Sequence, residues 1–218
     1  MTQGSPKTRV VVFISGNGSN LQAIIDDVES GKINADIVGV VSNKSGAYGL
    51  TRAENSNIPT FIVEAHKGET REDYDQRLTG ILEELQPSCI VLAGFMRILS
   101  ETFVHTYADK LLNIHPSLLP KYRGLDTHQR AIDAGDTEHG CSVHFVTAEL
   151  DGGPVILQAK VPVFEDDNVD TLAERVQTQE RQIYPLVVKW FCDGRLTTKN
   201  QKAVLDGQTI SDTGYAAD

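Results

Sequence analysis

Length and charge set the first limits on this chain. Its 218 residues suffice for one α/β domain with a buried core. Thirty acidic residues outnumber 20 basic ones, which gives a formal net charge of −10. A chain with this balance offers no broad basic surface for a nucleic acid backbone, so we expect no nucleic acid partner.

The cysteines and the N-terminus indicate where the chain works. Cys89, Cys141 and Cys192 are far apart and form no Cys-x-x-Cys pair, which argues against a disulfide framework or a zinc ribbon. Residues 1–8 lack the apolar core of a signal peptide, and no later apolar run reaches membrane-spanning length. We therefore expect a cytoplasmic protein with no membrane partner.

Strand-like and helix-like patterns alternate along the chain, which predicts βαβ units. We expect a single-domain, Rossmann-like α/β fold, in which helices flank a mostly parallel twisted sheet. The predicted strands cover residues 10–15, 36–42, 60–63, 89–93, 141–146 and 155–163, together with the strand that holds residues 113 and 115. The first predicted helix begins at Leu21 after an Asn20 N-cap, and the second ends near residue 57. The third runs from a Thr70–Asp73 capping box to Pro87. The fourth covers about 129–134, and the last begins near Thr171.

Three boundary features accompany these elements. Gly31 is expected to stop the first helix, and Pro185 is expected to kink or interrupt the last one. Residues 1–8 are predicted to be a flexible tail, 9–200 the main domain, and 201–218 a loosely held C-terminal extension.

A glycine loop follows the first strand. Gly16-Asn17-Gly18-Ser19-Asn20 places backbone N–H groups and a helix N-terminus at one point, which favours an anion. Leu21 stands where a dinucleotide-binding loop has its third glycine, and no Gly-Lys-Ser/Thr follows, so a single phosphate monoester suits the loop better. The backbone amides, the Ser19 hydroxyl and the Asn20 side chain would hold it. An ordinary strand-to-helix turn stays the alternative.

A second polar feature interrupts an apolar run. Alternate residues of a strand share a face, so Asn113 and His115 should point the same way while Ile114 is buried on the other side. An amide beside an imidazole can stabilise and protonate a reacting carbonyl group. A polar strand end that merely faces solvent is the alternative reading of these two residues.

A third polar feature is the turn Asp151-Gly152-Gly153-Pro154. If the sheet brings Asp151 beside His115, the carboxylate would favour the protonated imidazole and prepare a general acid. His144 could line the same pocket or be a satisfied core histidine. The remaining histidines have no metal-ligand spacing, so no metal site is expected.

Four segments together carry a family resemblance. They are Ile14 to Leu21, Ala93 to Leu99, Leu112 to Pro120, and Leu150 to Pro154, in this order within a match that extends from about residue 10 to 194. The chain resembles the phosphoribosylglycinamide formyltransferases of purine biosynthesis. The resemblance implies that residues 9–200 form a formyltransferase catalytic domain. It also implies 10-formyltetrahydrofolate as the formyl donor and co-substrate, the amine of 5'-phosphoribosylglycinamide as the acceptor, and no metal.

The resemblance also assigns residues. Asn113, His115 and Asp151 match the catalytic positions, with His144 and Ser142 in support. The positions for the phosphorylated acceptor are Gly18, Ser19, Asn20, Gln177 and Glu180. The positions for the folate are Arg71, Met96, Arg97, Ile98, Leu99, Thr147, Ala148, Glu149, Leu150 and Asp151. Simple core packing for Met96, and a solvated helix face for Gln177 and Glu180, are the competing interpretations.

Other functions stay open at this stage. Ser117 to Pro120 and Arg123-Gly124 also resemble the catalytic domain of methionyl-tRNA formyltransferase, and formyltetrahydrofolate hydrolases share similar catalytic residues. The length argues against both, because each of these enzymes would need an added domain and we expect none here. A phosphate-sugar binding module without chemistry is the non-enzymatic alternative. Partners are expected to be small molecules, and the chain a monomer or a homodimer.

Overall fold

A computed structural model describes residues 6–215. Its strands are β1 Thr8–Ile14, β2 Ala35–Ser42, β3 Thr60–Ile62, β4 Cys89–Leu92, β5 Leu111–His115, β6 Glu138–Phe145, β7 Val155–Pro162, β8 Leu196–Lys199, β9 Lys202–Leu205 and β10 Gln208–Thr209. Its helices are α1 Ser19–Glu29, α2 Tyr48–Asn55, α3 Arg71–Leu85, α4 Glu101–Thr106, α5 Thr127–Asp133 and α6 Val169–Cys192.

The first seven strands form one sheet in the order β3-β2-β1-β4-β5-β6-β7. The pairs from β3 to β5 are parallel, and β6 and β7 join as antiparallel strands. This confirms the predicted Rossmann-like, mostly parallel α/β fold. The strand order reverses between β1 and β4, and ligands of such sheets bind beyond the strand ends at this switch point.

Alternating side chains of β1 build two cores, one on each side of the sheet. Val10, Val12 and Ile14 pack in the core that α1, α2 and α6 cover. Val11 and Phe13 pack in the core that α3 and α4 cover. Because both faces are buried, β1 is an almost unbroken apolar run.

Two helix predictions need correction. Helix α1 begins at Ser19 after Gly18, which has φ 74°, so Gly18 is the N-cap and Asn20 lies inside the first turn. Helix α6 begins at Val169 after an Asn168 capping box and continues through Pro185 to Cys192. Pro185 therefore does not interrupt the helix, and its side chain is buried.

The segment after Asn200 was expected to be loosely held, whereas its described part is folded. Strands β8, β9 and β10 form a three-stranded antiparallel sheet, and residues 203–205 and Ile210 are buried. Asn200 and Gln201 both have positive φ, as a two-residue hairpin turn requires. Residues 1–5 of the predicted N-terminal tail lie outside the described residues, and Thr8 already belongs to β1.

Within residues 6–215, no helix is both long and apolar enough to cross a membrane. In the same range, no group of three or more His, Cys, Asp or Glu side chains is arranged to hold a metal ion.

Candidate active site

The register of β5 and β6 brings the first polar side chains together. Asn113 lies opposite His144, and His115 lies opposite Ser142. Ile114 packs in the core on the other face of the sheet, as the alternation predicted. Asn113 and His115 therefore share a face at the end of β5.

His115 is buried between two acceptors. Its Nε2 lies 2.8 Å from the Tyr122 carbonyl oxygen, and its Nδ1 lies 3.4 Å from Oδ2 of Asp151. A carbonyl and a carboxylate can only accept hydrogen bonds, so the ring satisfies both neighbours when both nitrogens carry protons. This geometry suits a histidine that acts as a proton donor.

The Asp151 carboxylate is fixed by backbone geometry. The Gly124 N–H donates to its Oδ2 at 2.9 Å, and Asp151 itself has φ 48°. A Cβ at Gly153 would lie 1.8 Å from the Phe145 carbonyl oxygen, so the turn passes too close to β6 for any other residue there. The structure thus brings Asp151 to His115.

His144 orients Asn113. The Nδ1 of His144 lies 2.9 Å from the Phe145 carbonyl oxygen and must carry the proton, because that oxygen can only accept. Burial lowers the pKa of His144 to about 4, so near neutral pH its Nε2 accepts a hydrogen bond. The Asn113 amide donates to that Nε2 at 3.0 Å. One N–H of Asn113 is held in this way, and the second is left for a ligand.

Ser142 acts behind the site. Its hydroxyl donates to the Ser117 carbonyl at 2.6 Å and accepts from the Leu119 N–H and the Gln158 amide. These bonds use the hydroxyl fully and hold the segment that follows His115. Ser142 therefore supports the site without facing it.

The glycine loop lies at the switch point. The first α1 hydrogen bond runs from the Gln22 N–H to the Gly18 carbonyl, so the N–H groups of Ser19 and the next two residues have no acceptor within the helix. Ser15 Oγ accepts from the Met96 N–H at 2.7 Å, which joins this loop to the segment after β4. An anion on these amides would thus lie beside the 94–99 segment.

Asn20 and Glu180 lie under this loop. The Asn20 amide donates to Glu180 Oε2 at 2.9 Å, and both side chains are buried. Burial raises the pKa of Glu180. One N–H of the Asn20 side chain, which was predicted to hold phosphate, is thus taken by Glu180, and the Asn20 backbone N–H is a further group left for an anion. Gln177 is exposed one turn before Glu180 on α6.

The predicted folate residues divide into exposed and packed groups. Met96, Ile98 and Leu150 are exposed to 60%, 55% and 50%, so Met96 is no core residue. Leu99 packs partly against the α3 side core. The Arg97 guanidinium lies 3.7 Å from the centre of the Tyr74 ring. Three apolar side chains open to solvent are thus available to an apolar ligand.

The other predicted folate positions are at the edges of this surface. Arg71 is exposed at the first position of α3, and Thr147, Ala148 and Glu149 are exposed in the turn before Asp151. Glu149 pairs with Arg123, which links this turn to the segment after β5.

Sequence reasoning missed the two backbone partners of His115 and Asp151. The Tyr122 carbonyl and the Gly124 N–H lie in a segment where Tyr122 has φ 55° and Gly124 has φ 80°. A glycine in a short polar segment signals such a turn, but its partners follow only from the folded chain.

The fold and this arrangement of side chains define an α/β enzyme of the formyl transferase class. Residues 8–188 match the family described as formyl transferase. The chain is 58% identical over 209 residues to a phosphoribosylglycinamide formyltransferase of Escherichia coli, with 96% of this chain and 99% of the relative covered. The counterpart from Haemophilus influenzae is 50% identical, with 95% and 98% covered.

A solved structure agrees with these sequence comparisons. The phosphoribosylglycinamide formyltransferase from Coxiella burnetii superposes with a TM-score of 0.91 at 47% identity, covering 96% of this chain and 98% of that one. The chain therefore belongs to the phosphoribosylglycinamide formyltransferase family. This confirms the resemblance inferred from the four sequence segments.

Proposed function

We propose that this enzyme transfers the formyl group of 10-formyltetrahydrofolate to the amine of 5'-phosphoribosylglycinamide, a step of purine biosynthesis. The observation that carries the proposal is the contact of His115 with Asp151 at the end of β5, on the same face as Asn113. The phosphate of the acceptor would bind at Gly18 to Asn20, and the folate along Met96 to Leu99. The formyl carbon would then lie between the two ligands.

The reaction forms one bond and breaks another. The acceptor amine attacks the formyl carbon, and a tetrahedral oxyanion results. The free N–H of Asn113 and the protonated His115 ring stabilise this oxyanion. The bond from carbon to the folate nitrogen then breaks, and the proton lost by the amine ends on that nitrogen.

His115 and Asp151 handle the protons. His115 would give its Nε2 proton towards the departing folate nitrogen in place of the hydrogen bond to the Tyr122 carbonyl, and Asp151 would favour the charged ring that makes this possible. A water held by Asp151 would relay the proton of the attacking amine. Each step uses only side chains, substrates and this water, without a covalent enzyme intermediate.

The remaining predicted residues complete the binding surfaces. We propose that Gln177 and Glu180 contact the ribose and glycinamide part of the acceptor. Arg71, Arg97 and the turn 147–151 would contact the folate, and Ser142 and His144 would keep the catalytic groups in place. The scattered cysteines suit a reducing compartment, so we place the reaction in the cytoplasm.

One assay tests the reaction. The native chain, given both substrates without ATP, should form formylated phosphoribosylglycinamide and tetrahydrofolate. His115→Ala should lower kcat about a thousandfold, because it removes both a general acid and an oxyanion partner. His105→Ala, which truncates an exposed ring at the end of α4, is the matched control and should keep native kcat.

The products separate the alternatives. Release of formate without an acceptor would indicate a hydrolase. Binding of both substrates without turnover would indicate a binding module. Native kcat in the His115→Ala variant would disprove the mechanism.

A further inference from the structure

Helix α2 packs directly on the glycine loop. A Cβ at Gly49 would lie 2.5 Å from Cδ1 of Ile14 and 3.2 Å from Cα of Gly18, so the two backbones touch. The Gly49 N–H donates to the Gly16 carbonyl at 3.0 Å. Residues three apart share a helix face, so this contact brings Arg52 to the loop as well.

The Arg52 guanidinium binds the loop at two points. Its Nε donates to the Asn17 carbonyl at 2.9 Å, and its Nη2 donates to Asn17 Oδ1 at 3.0 Å. Its Nη1 reaches Gln22 Oε1 in α1 at 3.2 Å. The planar fork of arginine thus clamps the loop to the first turn of the helix that follows.

The charge of Arg52 is not neutralised by a carboxylate. Its three hydrogen-bond acceptors are uncharged, and the guanidinium lies 4.8 Å from the centre of the Tyr48 ring. Across residues 6–215, no Asp or Glu oxygen lies within ion-pair distance of Arg52. The glycine loop itself contains no lysine or arginine. Arg52 is therefore a source of positive charge beside the loop.

The same contacts decide which backbone groups the loop presents. Helix α2 takes up the carbonyls of Gly16 and Asn17, two oxygens that would repel a phosphate. In a trans peptide the carbonyl and the following N–H point in opposite directions. Because the Asn17 carbonyl faces Arg52, the Gly18 N–H points away from α2 and stays available with the first-turn amides of α1.

We propose that Arg52 determines specificity for the phosphate of the acceptor substrate. It does so by turning the loop carbonyls away from the phosphate and by adding the positive charge that the loop lacks. This inference rests on the proposed function, in which the acceptor carries a phosphate monoester. Arg52 acts on that phosphate through the loop and its field and takes no part in the chemical step.

The test compares the phosphorylated acceptor with its dephosphorylated analogue. Arg52→Gln should raise KM for the phosphorylated acceptor about tenfold, because it removes the nearby positive charge and the bonds that orient the Asn17 carbonyl. Its kcat, its KM for the folate and its KM for the dephosphorylated analogue should stay native. Arg52→Lys keeps the charge but loses the planar fork that holds both Asn17 oxygens, so its KM for the phosphorylated acceptor should rise less.

Arg9→Gln is the matched control. The Arg9 guanidinium also donates twice to a backbone carbonyl, that of Leu85, but at the other end of β1. Both glutamine variants remove one positive charge. Arg9→Gln should therefore have the same KM for the phosphorylated acceptor as the native enzyme at every salt concentration. For Arg52→Gln, added salt should reduce the difference in this KM from the native enzyme, because salt screens the charge of Arg52.

Two results would overturn the inference. One is an unchanged KM for the phosphorylated acceptor in both Arg52 variants. The other is an equal rise of KM for the phosphorylated and dephosphorylated acceptors, which would mean that Arg52 only holds the fold. Calorimetric binding of ribose 5-phosphate separates this inference from the proposed reaction. Weaker binding by Arg52→Gln supports the role of Arg52 even where no formyl transfer is seen.

Discussion

The proposed catalytic face, formed by Asn113, His115, His144 and Asp151, and the predicted folate surface are built in opposite ways. His115, Asp151 and His144 are buried or nearly so, and each is bonded to a fixed partner on a strand or a tight turn. Met96, Ile98 and Leu150 are half or more exposed on loops. The first region is organised before substrate arrives, whereas the second gains its contacts only when an apolar ligand covers it.

This difference follows from what each region must do. Groups that stabilise a developing charge work best when they need no rearrangement during the reaction. Side chains that bind an apolar ring gain free energy from the area that the ligand removes from water. A change of one proton or charge at the proposed catalytic face should therefore lower kcat or stability. Truncation of a side chain on the folate surface should weaken only the binding of the folate.

The largest expected effect on stability comes from protonation of His144. Burial lowers the pKa of His144 in the folded chain to about 4, against 6.5 as its ordinary value. Above pH 6.5 the ring is neutral in both the folded and the unfolded state. Between pH 6.5 and 4 the unfolded state takes up a proton that the folded state does not, so stability falls as the pH falls. Below about pH 4 the loss levels off.

Urea unfolding at pH 7.5 and 4.5 measures this loss. From His144 alone it should reach about 2 to 3 kcal/mol. His144→Asn should reduce the loss by about that amount, whereas His105→Asn, at an exposed position, should leave it native. Equal losses in the native chain and His144→Asn would show that His144 does not carry the effect.

The next effect concerns the charge beside His115. Asp151→Asn keeps the shape and an oxygen for the Gly124 N–H, but it removes the negative charge 3.4 Å from the imidazole. We expect kcat to fall ten- to a hundredfold, because the protonated ring is less favoured.

Steady-state kinetics at neutral pH check the assignment of Asp151. Asp206→Asn is the control, since it removes one exposed carboxylate, which pairs with Arg195 near the C-terminus. It should keep native kcat. Native kcat in Asp151→Asn would rule out the proposed role of Asp151.

The central sheet was predictable because buried parallel strands are apolar runs between amphipathic helices. The C-terminal sheet of β8, β9 and β10 was missed, although Asp206-Gly207 between β9 and β10 is a strong turn signal. These two residues have φ 52° and 80°. The strands of this sheet are only two to four residues long, too short for a clear alternating pattern. Helix α4 was also missed, because its six residues are too few for a clear helical pattern of apolar residues.

The site was predictable to a different extent. Spacing within one strand placed Asn113 and His115 on a common face. The Gly-rich turn made Asp151 a candidate partner of His115, and the family resemblance then gave Asp151 its role. Arg52 was missed because it reaches Asn17 from 35 residues away, and only the packing of α2 on the loop reveals that contact. Asn20 was misjudged as the helix cap, because the sequence does not show that Gly18 adopts the left-handed conformation there.

The smallest expected effect is on the folate surface. Met96→Ala removes apolar area from a side chain that is 60% exposed, so the free energy of unfolding should stay native. If the folate covers Met96, the lost contact should raise KM for 10-formyltetrahydrofolate several-fold, up to about tenfold, with kcat unchanged. Ile62→Ala on the edge strand β3 truncates a side chain that is 53% exposed and should keep native KM. A Met96→Ala variant that loses kcat but keeps KM would place Met96 with the preorganised groups, and the contrast between the two regions would fail there.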